Sequence, residues 1–508
     1  MELNKTQLCL KNSVASGSAQ AMSAGEVIVP DSKPDILKVL QTDAETVITE
    51  KAVENGKLMI SGRVIYNILY IPEGAGERIK SIRTTADFRQ AVSCAGAGEE
   101  SECVAESSAE RVEFSVVNSR KLSLRTIIAI NYEVFDIKEC ELTIGIDDDR
   151  TECLTKNLSF ENIINVSEHE FTVKERLEVP SGQRSISEII KADARISETD
   201  YKTVTGKVII KGCADICILY TDEDGGIRFT SSEIPFTEVL DAEGVGEDTI
   251  CELDLALIDV VCEAEPDRDG DMRVVSIDID IAAHIICTEA EEEEVLCDCF
   301  EPYCTTNYET QTINITKTAA NPSVQSSIHE VIEFPREVPE VSGIYNVVGN
   351  AVISKAAHSN GRILCEGKLE VYVLYVTDSS DNPVYSIKKD IPFSYVLECE
   401  NIKGNEDIEL KANVTHISYN LNSAGELELR CVLRINGKLT ENVAINNITD
   451  ITTCATDARR GIVICFVSGN ESLWDVAKRY SVPQYKIAKY NMLDSDTIEA
   501  GTKLFIPV

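Results

Sequence analysis

The chain reads as a mainly β protein. It is built of three repeated antiparallel β (sandwich-like) modules followed by a small α+β domain of order strand, helix, helix, strand (βααβ). Three observations predict this. Pro30, Gly56, Gly62 and Tyr70 recur as Pro180, Gly206, Gly212 and Tyr220, then as Pro335, Gly361, Gly367 and Tyr375, at intervals of 26, 6 and 8 residues each time. Four anchors kept in register three times signal one unit used in triplicate. The segments between anchors are rich in β-branched and aromatic residues and often alternate apolar with polar. Beyond about Ile462 the texture changes to helix-capping and proline signals. The expected boundaries are 1–152, 153–300 and 301–452 for the repeats, 453–460 for a linker and 461–508 for the terminal domain.

Each repeat opens with an apolar lead-in to its proline, Val27-Ile28-Val29-Pro30, Leu177-Glu178-Val179-Pro180 and Ile332-Glu333-Phe334-Pro335. A strand that closes on proline loses its next ladder donor. The segment after it, such as Ile36 to Leu40 or Ile186 to Ile190, fits a short helix or a strand by periodicity. Gly56 to Tyr70, Gly206 to Tyr220 and Gly361 to Tyr375 read as strands. The first glycine of each supplies a turn, and the second marks a bulge or a close backbone approach. A polar loop follows (Glu73 to Gly76, Asp222 to Gly226, Asp378 to Pro383), then a strand ending in Asp87-Phe88, Pro235-Phe236 or Pro392-Phe393.

A second hairpin completes the repeat. It turns at Asn118-Ser119, at Asp267 to Gly270 and at Asn422 to Gly425. Return strands such as Val275 to Ile281 alternate cleanly, giving one buried and one wet face. In the terminal domain Ile462 to Phe466 is a strand, and Ser472 with Asp475 three residues on caps a helix over Leu473 to Tyr480. Pro483 opens a second helix to Tyr490, and Lys503 to Pro507 is the last strand.

A net charge of −38 argues against nucleic acid as a partner, since a polyanion is repelled where no basic patch releases counterions. Five basic and five acidic residues balance between Gly461 and Val508, so the acidic excess lies in the repeats. No stretch approaches the ~18 apolar residues of a membrane span. Met1 to Thr6 lacks a charged segment leading into an apolar core, and the expectation is a cytoplasmic protein. The 18 cysteines are scattered and often sit in apolar runs, as reduced thiols acting as small hydrophobes do.

Catalytic and metal chemistry finds little support. His169, His284, His329, His358 and His416 lie in separate segments, and His329-Glu330 lacks the second histidine of a zinc-protease helix. No Gly-x-Ser-x-Gly elbow or phosphate-cradling loop appears. Cys297, Cys299 and Cys304, with Cys287 as a fourth, are irregularly spaced for zinc. Asp267-x-Asp269-Gly270-Asp271 lacks the distal glutamate of a calcium loop and falls where the other repeats have plain turns. The expectation is no catalytic residue, no metal and no cofactor.

Gly469 to Tyr480, Ile487 to Asn491 and Gly501 to Pro507 closely resemble a LysM module over the last 47 or so residues. That resemblance implies a shallow groove for N-acetylglucosamine glycans or a protein, with Asn470, Glu471, Ser472 and Leu473 on one wall and Asn491, Met492, Leu493 and Ile498 near the other. The usual Gly-Asp-Thr is replaced by Asn470-Glu471-Ser472. Trp474, the single tryptophan, takes a core position. The repeats resemble the SPOCS domains of endospore coat proteins in their Gly-Lys-x-x-x-x-Gly strand ending in Tyr (Gly361-Arg362 in the third), their Pro-Phe strand and their alternating hairpin. The first repeat departs with Ala86-Asp87-Phe88. Three such modules and one LysM resemble the SipL-like coat-morphogenesis family. This implies a non-enzymatic scaffold in the mother-cell cytoplasm at the forespore surface, with the spore coat-basement ATPase and other coat proteins as partners. The alternative it implies is a peptidoglycan-binding protein acting through LysM.

Overall fold

The computed structural model describes residues 2–508 except 75–77, 181, 360, 400–401, 456–460, 470 and 494–497. The first module comprises β1 (Leu3–Ile28), β2 (Ile36–Glu54), β3 (Lys57–Pro72), β4 (Lys80–Ser93), β5 (Glu102–Asn118) and β6 (Lys121–Ile146). The second repeats the series as β7 (Glu152–Glu178), β8 (Ile186–Val204), β9 (Lys207–Asp222), β10 (Ile227–Asp241), β11 (Ile250–Pro266) and β12 (Met272–Phe300). The third runs β13 (Cys304–Ala320), β14 (Ser323–Ile332), β15 (Val341–Ser359), β16 (Arg362–Thr377), β17 (Val384–Glu398), β18 (Asp407–Leu421) and β19 (Leu427–Ala455). In the first module the antiparallel sheets β2-β3-β4 and β1-β6-β5 enclose one core, and the second uses β8-β9-β10 and β7-β12-β11 likewise. In the third, β13 and β14 together take the place of β1 against β19. They are separated at Pro322, whose carbonyl accepts from Gly437 N–H at 2.8 Å.

The recurring anchors are backbone and core positions. Gly56, Gly206 and Gly361 have φ of 72°, 72° and 78° in the tight turns that start β3, β9 and β16, where a side chain is strained. Gly62, Gly212 and Gly367 lie directly opposite Phe88, Phe236 and Phe393. Each Phe ring lies over its glycine so closely that an added Cβ would come within 3.0 Å of it. The strand on the other side bulges at the same place, between Ile48 and Glu50, Ser197 and Asp200, and Ile353 and Lys355. Both readings of the second glycine therefore hold. Ala86-Asp87 changes nothing here, because Phe88 keeps its place. The anchor tyrosines Tyr70, Tyr220 and Tyr375 are wholly buried.

The segments left open between helix and strand are strands. Two further bulges in each, between Ile36 and Lys38 and between Val39 and Gln41 in β2, recur in β8 and β15. A bulge re-aims a side chain, and here the bulged residues Leu40, Ile190 and Tyr345 turn away from their own sandwiches. They meet Leu69, Leu219 and Leu374, the residues just before the anchor tyrosines, in one cluster drawn from all three modules. A second shared cluster contains Leu8, Leu158-flanked Phe160 and Ile313 with Leu10 and Ile315, from β1, β7 and β13. The modules thus pack about a common approximate threefold axis, with equivalent residues meeting at two levels.

Beside the first cluster, the equivalent positions Gln41, Lys191 and Asn346 bring one cation and two amides together. Lys191 Nζ lies 2.7 Å from Asp43 and 2.8 Å from Asp193, and Tyr345 donates to Asp193 at 2.9 Å. Burial alone would lower the Lys191 pKa, but Asp193 and Asp43 outweigh it and hold the amine charged. Three identical lysines on such an axis would repel one another. Divergence of the repeats within one chain avoids that. At the last seam Asn447 ties the third module to the first, accepting from Thr143 N–H at 2.8 Å and donating to the Glu141 carbonyl at 2.9 Å.

The terminal domain is β20 (Ile462–Phe466), α1 (Leu473–Tyr480), α2 (Gln484–Asn491) and β21 (Lys503–Pro507), as the capping and proline signals predict. The expected linker at 453–460 begins inside β19, since Thr453 and Cys454 pair with Thr306 and Thr305. Residues 456–460 lie outside the described residues, as do Ala75 and Gly76 of the first polar loop.

Candidate binding site

The first wall of the expected groove is built around a helix cap. Ser472 is the N-cap of α1, accepting from Asp475 N–H, while the Asp475 carboxylate accepts from Ser472 N–H at 2.8 Å and from its hydroxyl at 2.7 Å. This reciprocal box satisfies two orphan groups of the first turn. Glu471 pairs with Arg479 and accepts from Ser468 N–H at 3.0 Å. Leu473 is buried in the domain core. Asn470 lies outside the described residues.

On the second wall Asn491 acts as a clamp. Its amide donates to the Ile487 and Phe505 carbonyls, both at 2.8 Å, and its oxygen accepts from Phe505 N–H at 2.7 Å, tying α2 to β21. Leu493 and Ile498 are half-buried against the core. Met492, in the left-handed conformation that ends α2, is 89% exposed. Tyr485 and Tyr490 are exposed nearby on α2. The open face of the β20-β21 pair carries exposed Ile462, Ile464, Phe466 and Phe505, with Ile464 directly opposite Phe505.

Trp474 is buried, and it also seats the domain on the repeats. Its ring packs edge-on against Phe300 at the end of β12, centroid to centroid 5.1 Å, and its indole N–H donates to Asp298 at 2.8 Å. Lys478 Nζ reaches the same carboxylate at 2.5 Å, and the Tyr308 hydroxyl donates to it at 2.9 Å. Burial would raise the Asp298 pKa, but the hydrogen bonds from Lys478, Trp474 and Tyr308 together hold it below the ordinary carboxylate range. Tyr303 N–H donates to the Ser481 carbonyl at 2.7 Å, and Lys486 donates to the Tyr303 hydroxyl at 2.8 Å. Nothing local in the sequence announces this seat, because Asp298 and Trp474 lie 176 residues apart.

Comparison with known families accounts for both parts of the chain. The model described as "SipL, SPOCS domain" matches residues 35–117, 185–265 and 340–422, and the LysM domain model matches 467–507. The chain carries three SipL SPOCS domains and a C-terminal LysM domain, the arrangement of a SipL-like protein. Nothing matches among curated proteins or solved structures. Each SPOCS match in this SipL-like chain covers the inner strands of a module, β2 to β5, β8 to β11 and β15 to β18. The long flanking strands that build the shared cluster around Leu8, Phe160 and Ile313 fall outside the matches. SPOCS and LysM are binding-type domains.

Other candidate chemistry in the SipL-like chain is dispersed. Among the described residues no group of three His, Cys, Asp or Glu side chains is placed to hold a metal. Cys299 is buried while the Cys297 thiol turns to the Val295 carbonyl. Asp267 is spent on its own turn, accepting from Asp269 N–H at 2.9 Å and Asp271 N–H at 3.0 Å. Asn422 does the same for Ala424 and Glu426 in the third module. A cleft of about 640 Å³ between the first two modules is lined by Lys51, Glu54, Glu102, Glu168 and His284. Lys51 and Glu168 bridge it at 3.1 Å, and burial with Lys51 nearby lowers the His284 pKa. Among the described residues no helix is long and apolar enough to cross a membrane.

Proposed function

We propose that the chain is a non-enzymatic scaffold or adaptor of endospore coat assembly. Its LysM domain docks to the coat-basement ATPase at the forespore surface in the mother-cell cytoplasm, and its SPOCS modules engage other coat proteins. The observation that carries the choice of a protein partner is the state of the groove. Glu471, Ser472 and Asn491, the polar groups a sugar would use, are already hydrogen-bonded within the fold. Beside them the domain leaves large apolar side chains exposed, Met492, Tyr490 and those of the β20-β21 ladder. Exposed apolar clusters favour protein contacts. Three modules on one chain add multivalency, which turns weak contacts into durable ones. The LysM match itself favours the second reading, binding to peptidoglycan.

The test uses the full-length chain against the purified ATPase and against purified peptidoglycan, with and without Met492→Glu. Saturable binding to the ATPase, weakened at least about tenfold by a charge placed at an interface centre, is the expected result. Saturable binding to peptidoglycan with none to the ATPase overturns it.

A further inference from the structure

We infer that Cys251 and Cys287 form a site of reversible covalent modification, a cross-strand disulfide made when the folded protein meets a peroxide oxidant. The two residues are direct register partners on β11 and β12. Antiparallel partners hold their Cα atoms about 4.5–5.5 Å apart, inside the ~4.4–6.8 Å that disulfides span. Their thiols point at each other, with the sulfurs 2.6 Å apart. Register alone does not do this. Cys153 and Cys299 are also direct partners, on β7 and β12, yet the Cys153 thiol turns to the Thr151 carbonyl. At the second position of the corresponding edge strands, Cys103 faces Val134 and Ile408 faces Leu439. Those are apolar pairs that cannot cross-link, so the chemistry is peculiar to the second module.

Both residues are buried, Cys251 at 5% exposure and Cys287 at 0%. Cys251 is nevertheless the second residue of β11, an edge strand of its sheet, and strand ends on an edge open locally at low cost. Cys251 is therefore the thiol that meets the oxidant. The hydrogen bond from Cys287 also lowers its pKa, against the effect of burial, and the thiolate is the reactive form. The Cys251 thiolate attacks one peroxide oxygen and the O–O bond breaks, giving a sulfenic acid and hydroxide, which takes up the released proton as water. The Cys287 sulfur then attacks the sulfenic sulfur, the S–O bond breaks and a second water leaves. In total two thiols lose two electrons and two protons, and one hydrogen peroxide becomes two waters. The product staples the exposed start of β11 to the centre of its sheet.

The full-length protein, native and reduced, is treated with hydrogen peroxide, denatured, alkylated with iodoacetamide and digested for mass spectrometry. The expected result is one linked species joining the Cys251 and Cys287 peptides, about 2 Da below their summed mass, lost on dithiothreitol treatment. In Cys287→Ser a dimedone adduct accumulates on Cys251 instead. Full alkylation of both residues in the wild type, while other cysteines of the same sample are oxidised, overturns the proposal. So does linkage of either one to a different cysteine. The wild-type measurement stands even where a variant fails to fold.

Discussion

Asp298→Asn loosens the terminal domain from the repeats while leaving the repeats intact. Asp298 accepts from Lys478, Trp474 and Tyr308 at once, and an amide offers only one oxygen for the three and turns an N–H₂ toward donors. A hydrogen bond to a charged group contributes about 1.5–3 kcal/mol. Because the Lys478 side chain is 34% exposed, solvent screening brings the expected loss to about 1–2 kcal/mol. Trp474 is the only tryptophan, so selectively excited fluorescence reports on this junction alone. In a urea titration the Trp474 transition shifts to lower denaturant in the variant, while the far-ultraviolet circular dichroism transition of the sheets stays in place. The carboxyl is held below its ordinary value of about 3.9, so its contribution is complete above that pH and is lost as pH falls through the depressed folded value. Wild-type Trp474 emission therefore changes only below about pH 4, and the variant lacks that step. An unmoved fluorescence transition, or one that shifts together with the sheets, refutes the reasoning.

Gly212→Ala and Gly367→Ala each destabilise by about 1–3 kcal/mol through overpacking, the second at the upper end because its Cβ would also press on the Val352 carbonyl. Gly98→Ala, with nothing within 4 Å, stays within about 0.5 kcal/mol, and chemical denaturation separates the three. Lys191→Ala leaves Asp43 and Asp193 facing each other beside the axis and costs about 3 kcal/mol, the low end for a broken buried pair since Asp43 is a third exposed; the thermal midpoint of the full chain reads it. Asn491→Ala removes the clamp between α2 and β21 and, because water reaches the exposed Phe505 backbone, costs about 0.5–1.5 kcal/mol, seen as an earlier Trp474 unfolding transition.

The turns, the glycine-aromatic pairs and the terminal helices were legible because their causes are local. Gly56 needs its positive φ whatever surrounds it, and Ser472 with Asp475 writes a cap within four residues. The strands after each proline were not resolvable from helices, and the bulges explain why. Skips at Leu37, Leu40 and Thr49 break the period-two pattern of β2, the second of them where Leu40 is redirected to the axis. The length of β1, β6, β7 and β12 was likewise hidden, since their outer halves are buried by other modules. For the expected groove, motif positions pointed to Glu471, Ser472 and Asn491. Their prior commitment to Arg479, Asp475 and Phe505 emerges only in three dimensions, as does the seat on Asp298 and Phe300.

The proposed role depends on the exposed surface of the LysM domain meeting a protein. Co-purification from sporulating cells, comparing the full chain with Met492→Glu in the same intact background, tests it most directly. The expected result is that the coat-basement ATPase travels with the full chain and is depleted at least about tenfold with the variant. Equal recovery of the ATPase with both, or recovery of peptidoglycan fragments in its place, contradicts it.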